Sequence, residues 1–61
     1  MSINDTGAFI VYRTDENGES VFQPILGEDV KNLIKGFNYS EEENLWMSPD
    51  GTVTIKLKRI G

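Results

Sequence analysis

The chain has 61 residues, no cysteine and no histidine, with ten acidic against six basic residues for a net charge of −4. That composition excludes disulfide staples, thiolate zinc sites and imidazole catalysis, and it opposes nonspecific attraction to nucleic acid phosphates. The length fits a single domain, residues 1–61, near the lower limit for folding without a metal or a disulfide.

Residues 1–7 read as a polar, flexible arm. They lack the basic start and long apolar run of a signal peptide, and the longest apolar run, Ala8–Tyr12, is too short to span a bilayer. The expected setting is cytoplasmic, with no membrane partner. Ala8–Arg13, rich in β-branched and aromatic residues, is the strongest strand signal. Asn17-Gly18 follows, the pair preferred in a type I′ hairpin turn because both central positions need positive φ. Ser20–Leu26 forms the return strand, and Pro24, which has no N–H for a ladder bond, belongs at an edge or near a strand end.

Val30, Leu33, Ile34 and Phe37 fall at i, i+3, i+4 and i+7, one apolar face of a helix over Glu28–Phe37. Glu28 and Asp29 suit its N-terminus, and Gly36 marks a stop. Asn38–Asn44 is an acidic connection, read as loop, although Ser40 with Glu43 three residues on also fits a brief helical cap. Leu45–Met47 then pairs with Thr52–Ile60 across Ser48-Pro49-Asp50-Gly51, a type I turn with Pro second. In the last strand Val53, Ile55 and Leu57 alternate with Thr52, Thr54, Lys56 and Lys58. The expected fold class is α+β: an antiparallel sheet of two hairpins with one helix packed across it, in the order β-β-α-β-β.

The first strand is apolar on both faces, with Ala8, Ile10 and Tyr12 on one and Phe9 and Val11 on the other. One helix covers one face of a sheet. Phe9, Val11 and Phe22 are therefore assigned to self-association in a homodimer; a host protein would also supply the cover, and the alternative is a few half-exposed apolar side chains.

Glu41, Glu42 and Glu43, with Trp46 and Tyr39 as apolar anchors beside them, are the candidate partner-binding residues. Carboxylates on a rigid edge imitate nucleic acid phosphates in a cationic groove; the alternative is a solvated loop that keeps the chain soluble. Trp46 suits either an interface centre or the core. No catalytic constellation is present: the acids lie among polar, loop-like neighbours with no apolar pocket beside them, and Ser20, Ser40 and Ser48 have no histidine partner. The chain is read as a non-enzyme with no cofactor. Asp15-Glu16-Asn17-Gly18-Glu19 departs from a calcium loop, because Gly falls fourth and the segment joins strands, so no metal site is assigned. Lys56, Lys58 and Arg59 on the last strand suit protection of a sheet edge or binding of an acidic protein surface. That strand lacks the aromatic interleaving of a nucleic acid platform.

In layout the chain resembles small acidic phage-encoded inhibitors of host enzymes. Asp15–Gly18 between strands, the helix Glu28–Phe37 and the closing Thr54–Lys58 are similar to the uracil-DNA glycosylase inhibitor family. Thr6-Gly7 before a hairpin, a single helix and a basic last strand resemble the phage RNA polymerase inhibitors. The Leu45–Gly51 hairpin is additional to both layouts. The resemblance implies a non-enzymatic protein-binding module, an inhibitor of a host enzyme acting on DNA or RNA. The other reading of the residues is a small homo-oligomeric structural or assembly protein.

Overall fold

A computed structural model of the chain describes residue 3 and residues 6–60. Its elements are β1 Ala8–Asp15, β2 Gly18–Leu26, α1 Gly27–Leu33, β3 Asn38–Ser40, β4 Leu45–Met47 and β5 Thr54–Arg59. The strands form one five-stranded sheet in the order β2-β1-β5-β4-β3, and every neighbouring pair is antiparallel. The α+β class with one helix on an antiparallel sheet is therefore present. The β-β-α-β-β order is not, because Asn38–Ser40 folds back on Leu45–Met47 as a strand where a loop was expected.

The antiparallel pairings make the two edge strands, β2 and β3, run in the same direction. The chain must then cross a face of the sheet between them, and α1 lies in that crossing. The helix has 7 residues, which at 1.5 Å per residue is about 10 Å, shorter than the expected Glu28–Phe37. It ends where the Ile34 N–H still reaches the Val30 carbonyl at 3.1 Å and Gly36 takes a φ of +84°. Glycine has no Cβ to clash there, so the chain turns out of the helix at this point. Glu28 and Asp29 occupy the first turn, favourable for the exposed N–H groups, and the Gly27 N–H donates to the Gly7 carbonyl at 2.8 Å.

Phe9, Val11, Val30, Ile34 and Ile55 form the core, with Ile3, Ile25, Phe37, Trp46, Val53 and Leu57 packed against it. Two sequence expectations change here. Phe9 and Val11, assigned to self-association, are 0% and 1% exposed and lie beneath α1; of that trio only Phe22, 45% exposed on edge strand β2, reaches the surface. Leu33 is also 45% exposed, because it projects roughly 60° round the helix from Val30 while Ile34 stays over the sheet. Of the expected 1–7 arm, Met1, Ser2, Asn4 and Asp5 lie outside the described residues, whereas Ile3 packs on the core and Gly7 is buried.

Turn chemistry sets the register. Asp15 pairs with Gly18 across Glu16-Asn17, and the Asp15 carboxylate accepts the Asn17 N–H at 2.9 Å. Gly18 has a φ of +115°, while Asn17 keeps a negative φ, so this is not the type I′ turn expected from Asn-Gly. One left-handed glycine closing a two-residue turn satisfies the strand twist here. Further along, Phe9 pairs with Ile25 but Val11 with Phe22, so Gln23 and Pro24 together oppose Ile10. This β-bulge on an edge strand accommodates the missing proline N–H and interrupts the exposed edge.

The burial contrast is testable by urea denaturation. Phe9→Ala is expected to cost about 3–5 kcal/mol, enough to unfold much of a domain this small. Phe22→Ala, at a half-exposed edge position, is expected to cost about 1 kcal/mol or less.

Candidate protein-binding hairpin

The α1 helix packs on β1 and β2 and stops short of the far edge, so the hairpin β3–β4 provides its own cover there. Tyr39 and Trp46 stand directly opposite each other in the ladder, with ring centroids 5.0 Å apart and planes tilted by 51°. Tilted ring pairs at this distance match the edge of one quadrupole to the face of the other. Trp46 also pairs with Ile55 in β5, which places the aromatic pair on the α1 side, continuous with the core. Among the described residues, the buried Trp46 Nε1–H has no acceptor. Leu45, which alternates with Trp46, is buried outside that cluster.

The turn joining these strands is Glu41–Asn44, and all four residues are exposed. Asn44 closes it with a φ of 54°, the left-handed region that asparagine tolerates better than other non-glycine residues. Its side chain is held in place, because the Tyr39 hydroxyl donates to Asn44 Oδ1 at 2.6 Å. At the other end the Glu43 N–H donates to Ser40 Oγ at 3.4 Å, a long bond with the spacing of a helix cap but set in a turn. The structure thus brings Glu41, Glu42 and Glu43 together with Tyr39 and Trp46 on one hairpin, with the carboxylates outside and the rings beneath. Asn44, which ties the turn to the rings, is marked in the sequence only by its position at the end of an acidic run.

A second ordered loop lies next to this hairpin. The Gly51 N–H donates to the Ser48 carbonyl at 2.9 Å, closing the expected turn around Pro49. Asp50 Oδ1 accepts from the Ser48 hydroxyl at 2.6 Å, the Thr52 hydroxyl at 2.8 Å and the Thr52 N–H at 3.1 Å. The Ser48 oxygen in turn accepts the Val53 N–H at 3.1 Å. These donors favour the carboxylate and draw the Asp50 pKa from 3.8 down to about 2.

Between this loop and the β1–β2 turn is a small groove lined by Arg13, Asp15, Glu16, Asn17, Thr52 and Val53. Arg13 is engaged there by Asp15, and its hydrogen bond is the leading cause of the lowered Asp15 pKa, followed by the Asn17 N–H. Among the described residues no group of three or more acidic side chains is arranged to hold a metal ion, and no helix is long and apolar enough to cross a membrane. Lys56 and Lys58 are exposed on the sheet face away from α1, on β5, which lies between β1 and β4, so they do not protect a sheet edge as expected. No family model, characterised protein or solved structure matches the chain.

Two outcomes check this geometry. Asn44→Gly, which loses only the bond from Tyr39, is expected to cost about 1 kcal/mol or less, and Asn44→Val about 1–2 kcal/mol more, since a β-branched residue also resists positive φ. For Asp50 the folded pKa lies below its ordinary value, so its stabilisation is complete above about pH 4 and is lost as the pH falls through about 2. The melting temperatures of the native chain and Asp50→Ala should therefore differ at neutral pH and converge between pH ~4 and ~2.

Proposed function

We propose that the chain is a non-enzymatic protein-binding module of the phage-inhibitor type, acting on a host enzyme that handles DNA or RNA. The observation that carries this reading is the β3–β4 hairpin. It holds three exposed carboxylates on a turn whose last residue is bonded to an aromatic pair rooted in the core. A turn anchored in this way gives up less conformational freedom on binding than a free acidic loop. Its charges suit a cationic groove built for a phosphate backbone, with Tyr39 and Trp46 as the apolar footing. In this reading the protein works in the cytoplasm, needs no cofactor, and contacts nucleic acid only indirectly, through its partner enzyme.

The partner-binding reading also takes the chain as a homodimer. A purely structural, self-assembling role is the second reading, and the large apolar side chains exposed on β2 and at the chain end favour it: Val21, Phe22, Leu26 and Ile60.

Capture from bacterial lysate on the tagged chain, at low and at high salt, separates the two. The partner reading expects one nucleic acid enzyme retained at low salt and released at high salt. Reversal of Glu41, Glu42 and Glu43 to lysine should abolish capture and shift the melting temperature by only a few degrees. Undiminished capture by that triple variant would remove the acidic hairpin from the mechanism.

A further inference from the structure

The sheet face opposite α1 carries a continuous apolar patch. Along β1 it consists of Ala8, Ile10 and Tyr12, all half-buried. Leu26 pairs with Ala8 and Val21 with Tyr12 on the β2 side, and both stand 52% and 49% exposed. On the other side the Ile60 N–H donates to the Ala8 carbonyl at 2.9 Å, continuing the β1–β5 register, and Ile60 is 48% exposed. Three of the chain's large exposed apolar side chains thus surround one strand on one face. Monomers seldom leave such a patch to water.

The charges on this face are arranged by side. Lys56 pairs with Tyr12 and Lys58 with Ile10, both on β5, while Glu19 sits opposite Thr14 on β2. Among the described residues neither Lys56 nor Glu19 has an ion-pair partner. Cations therefore flank the patch on one side, and a carboxylate lies on the other side, one residue pair further along.

We infer that this face packs against the same face of a second copy, related by a two-fold axis lying along β1. That axis carries β5 of each copy over β2 of the other, so Ala8, Ile10 and Tyr12 meet their counterparts, Leu26 faces Ile60, and Lys56 comes over Val21, one residue pair from the Glu19 of its partner copy. An axis across the strands would instead set β5 on β5 and bring lysines together, a costly arrangement. Face-to-face packing of two sheets about 10 Å apart is an ordinary way to bury such a surface. The patch is off-centre, over β2, β1 and β5, so the dimer leaves both β3–β4 hairpins uncovered. With strands about 4.8 Å apart, the two hairpins lie at opposite edges, roughly 30 Å from one another. The inference specifies the interface of the homodimer proposed above and is independent of what the hairpin binds.

Sedimentation velocity on the full chain over a wide concentration range tests it, with circular dichroism reporting the fold of each variant. The native chain is expected to be a dimer, and Ile10→Glu a monomer. Leu26→Glu, a change at an exposed edge position that leaves the core intact, should give the same result if Ile10→Glu does not fold. Lys56→Glu should weaken dimerisation roughly tenfold, and adding Glu19→Lys should restore it. A native chain that is monomeric throughout overturns the inference and leaves the patch to another protein. A dimer that survives Leu26→Glu overturns it as well, and failure of the charge exchange to restore affinity overturns the proposed axis. None of these readouts involves Glu41–Glu43, so the hairpin reading stands or falls separately.

Discussion

The structure depends on one constraint: β1 is apolar on both faces, and among the described residues a single seven-residue helix is available to cover it. Burial of Phe9, Val11, Val30, Ile34 and Ile55 is the main favourable contribution in a chain this small. All five meet on the α1 side of the sheet. The sheet is arranged around that choice, with β1 flanked by β2 and β5 and the helix set above β1 and β2. The opposite face keeps Ala8, Ile10 and Tyr12, and its incomplete cover follows from the same shortage of helix.

A short helix also accounts for the far edge of the sheet. Because α1 ends at Leu33, the chain reaches β3 through the Gly36 turn and must complete the core with side chains of its own. Phe37 and Trp46 pack against the central cluster, and Tyr39 leans on Trp46. The acidic turn then rests on structure that the fold already requires, since the Tyr39 hydroxyl holds the residue that closes it. Rigid footing and exposed charge on one hairpin are a consequence of filling the core.

Local rules were readable in the residues because they act over a few positions. Gly36 and Gly51 take the positive φ that breaks a helix or completes a turn, and Pro24 lies where an edge bulge tolerates its missing N–H. The alternation of Val53, Ile55 and Leu57 with Lys56 and Lys58 correctly separates a core side from an exposed one. The proximity of Glu41–Glu43 to Tyr39 and Trp46 was also visible as closeness in sequence. Less accessible were the three-residue strand β3, whose partner lies across a turn, and the left-handed Asn44. Both depend on pairing with β4 more than on the propensity of Asn38–Asn44 itself.

The sequence by itself determined the class of fold, the positions of the main strands and helix, and the absence of cysteine and histidine chemistry. These follow from periodicity, turn residues and composition, which act locally or by simple count. Only the tertiary structure decided that Phe9 and Val11 are core while Ala8, Ile10 and Tyr12 face outward. Alternation divides a strand into two faces and leaves them equivalent. The difference arises when the chain crosses from β2 to β3 over one side of the sheet, and the side taken depends on the hand of that crossing and the twist of the strands.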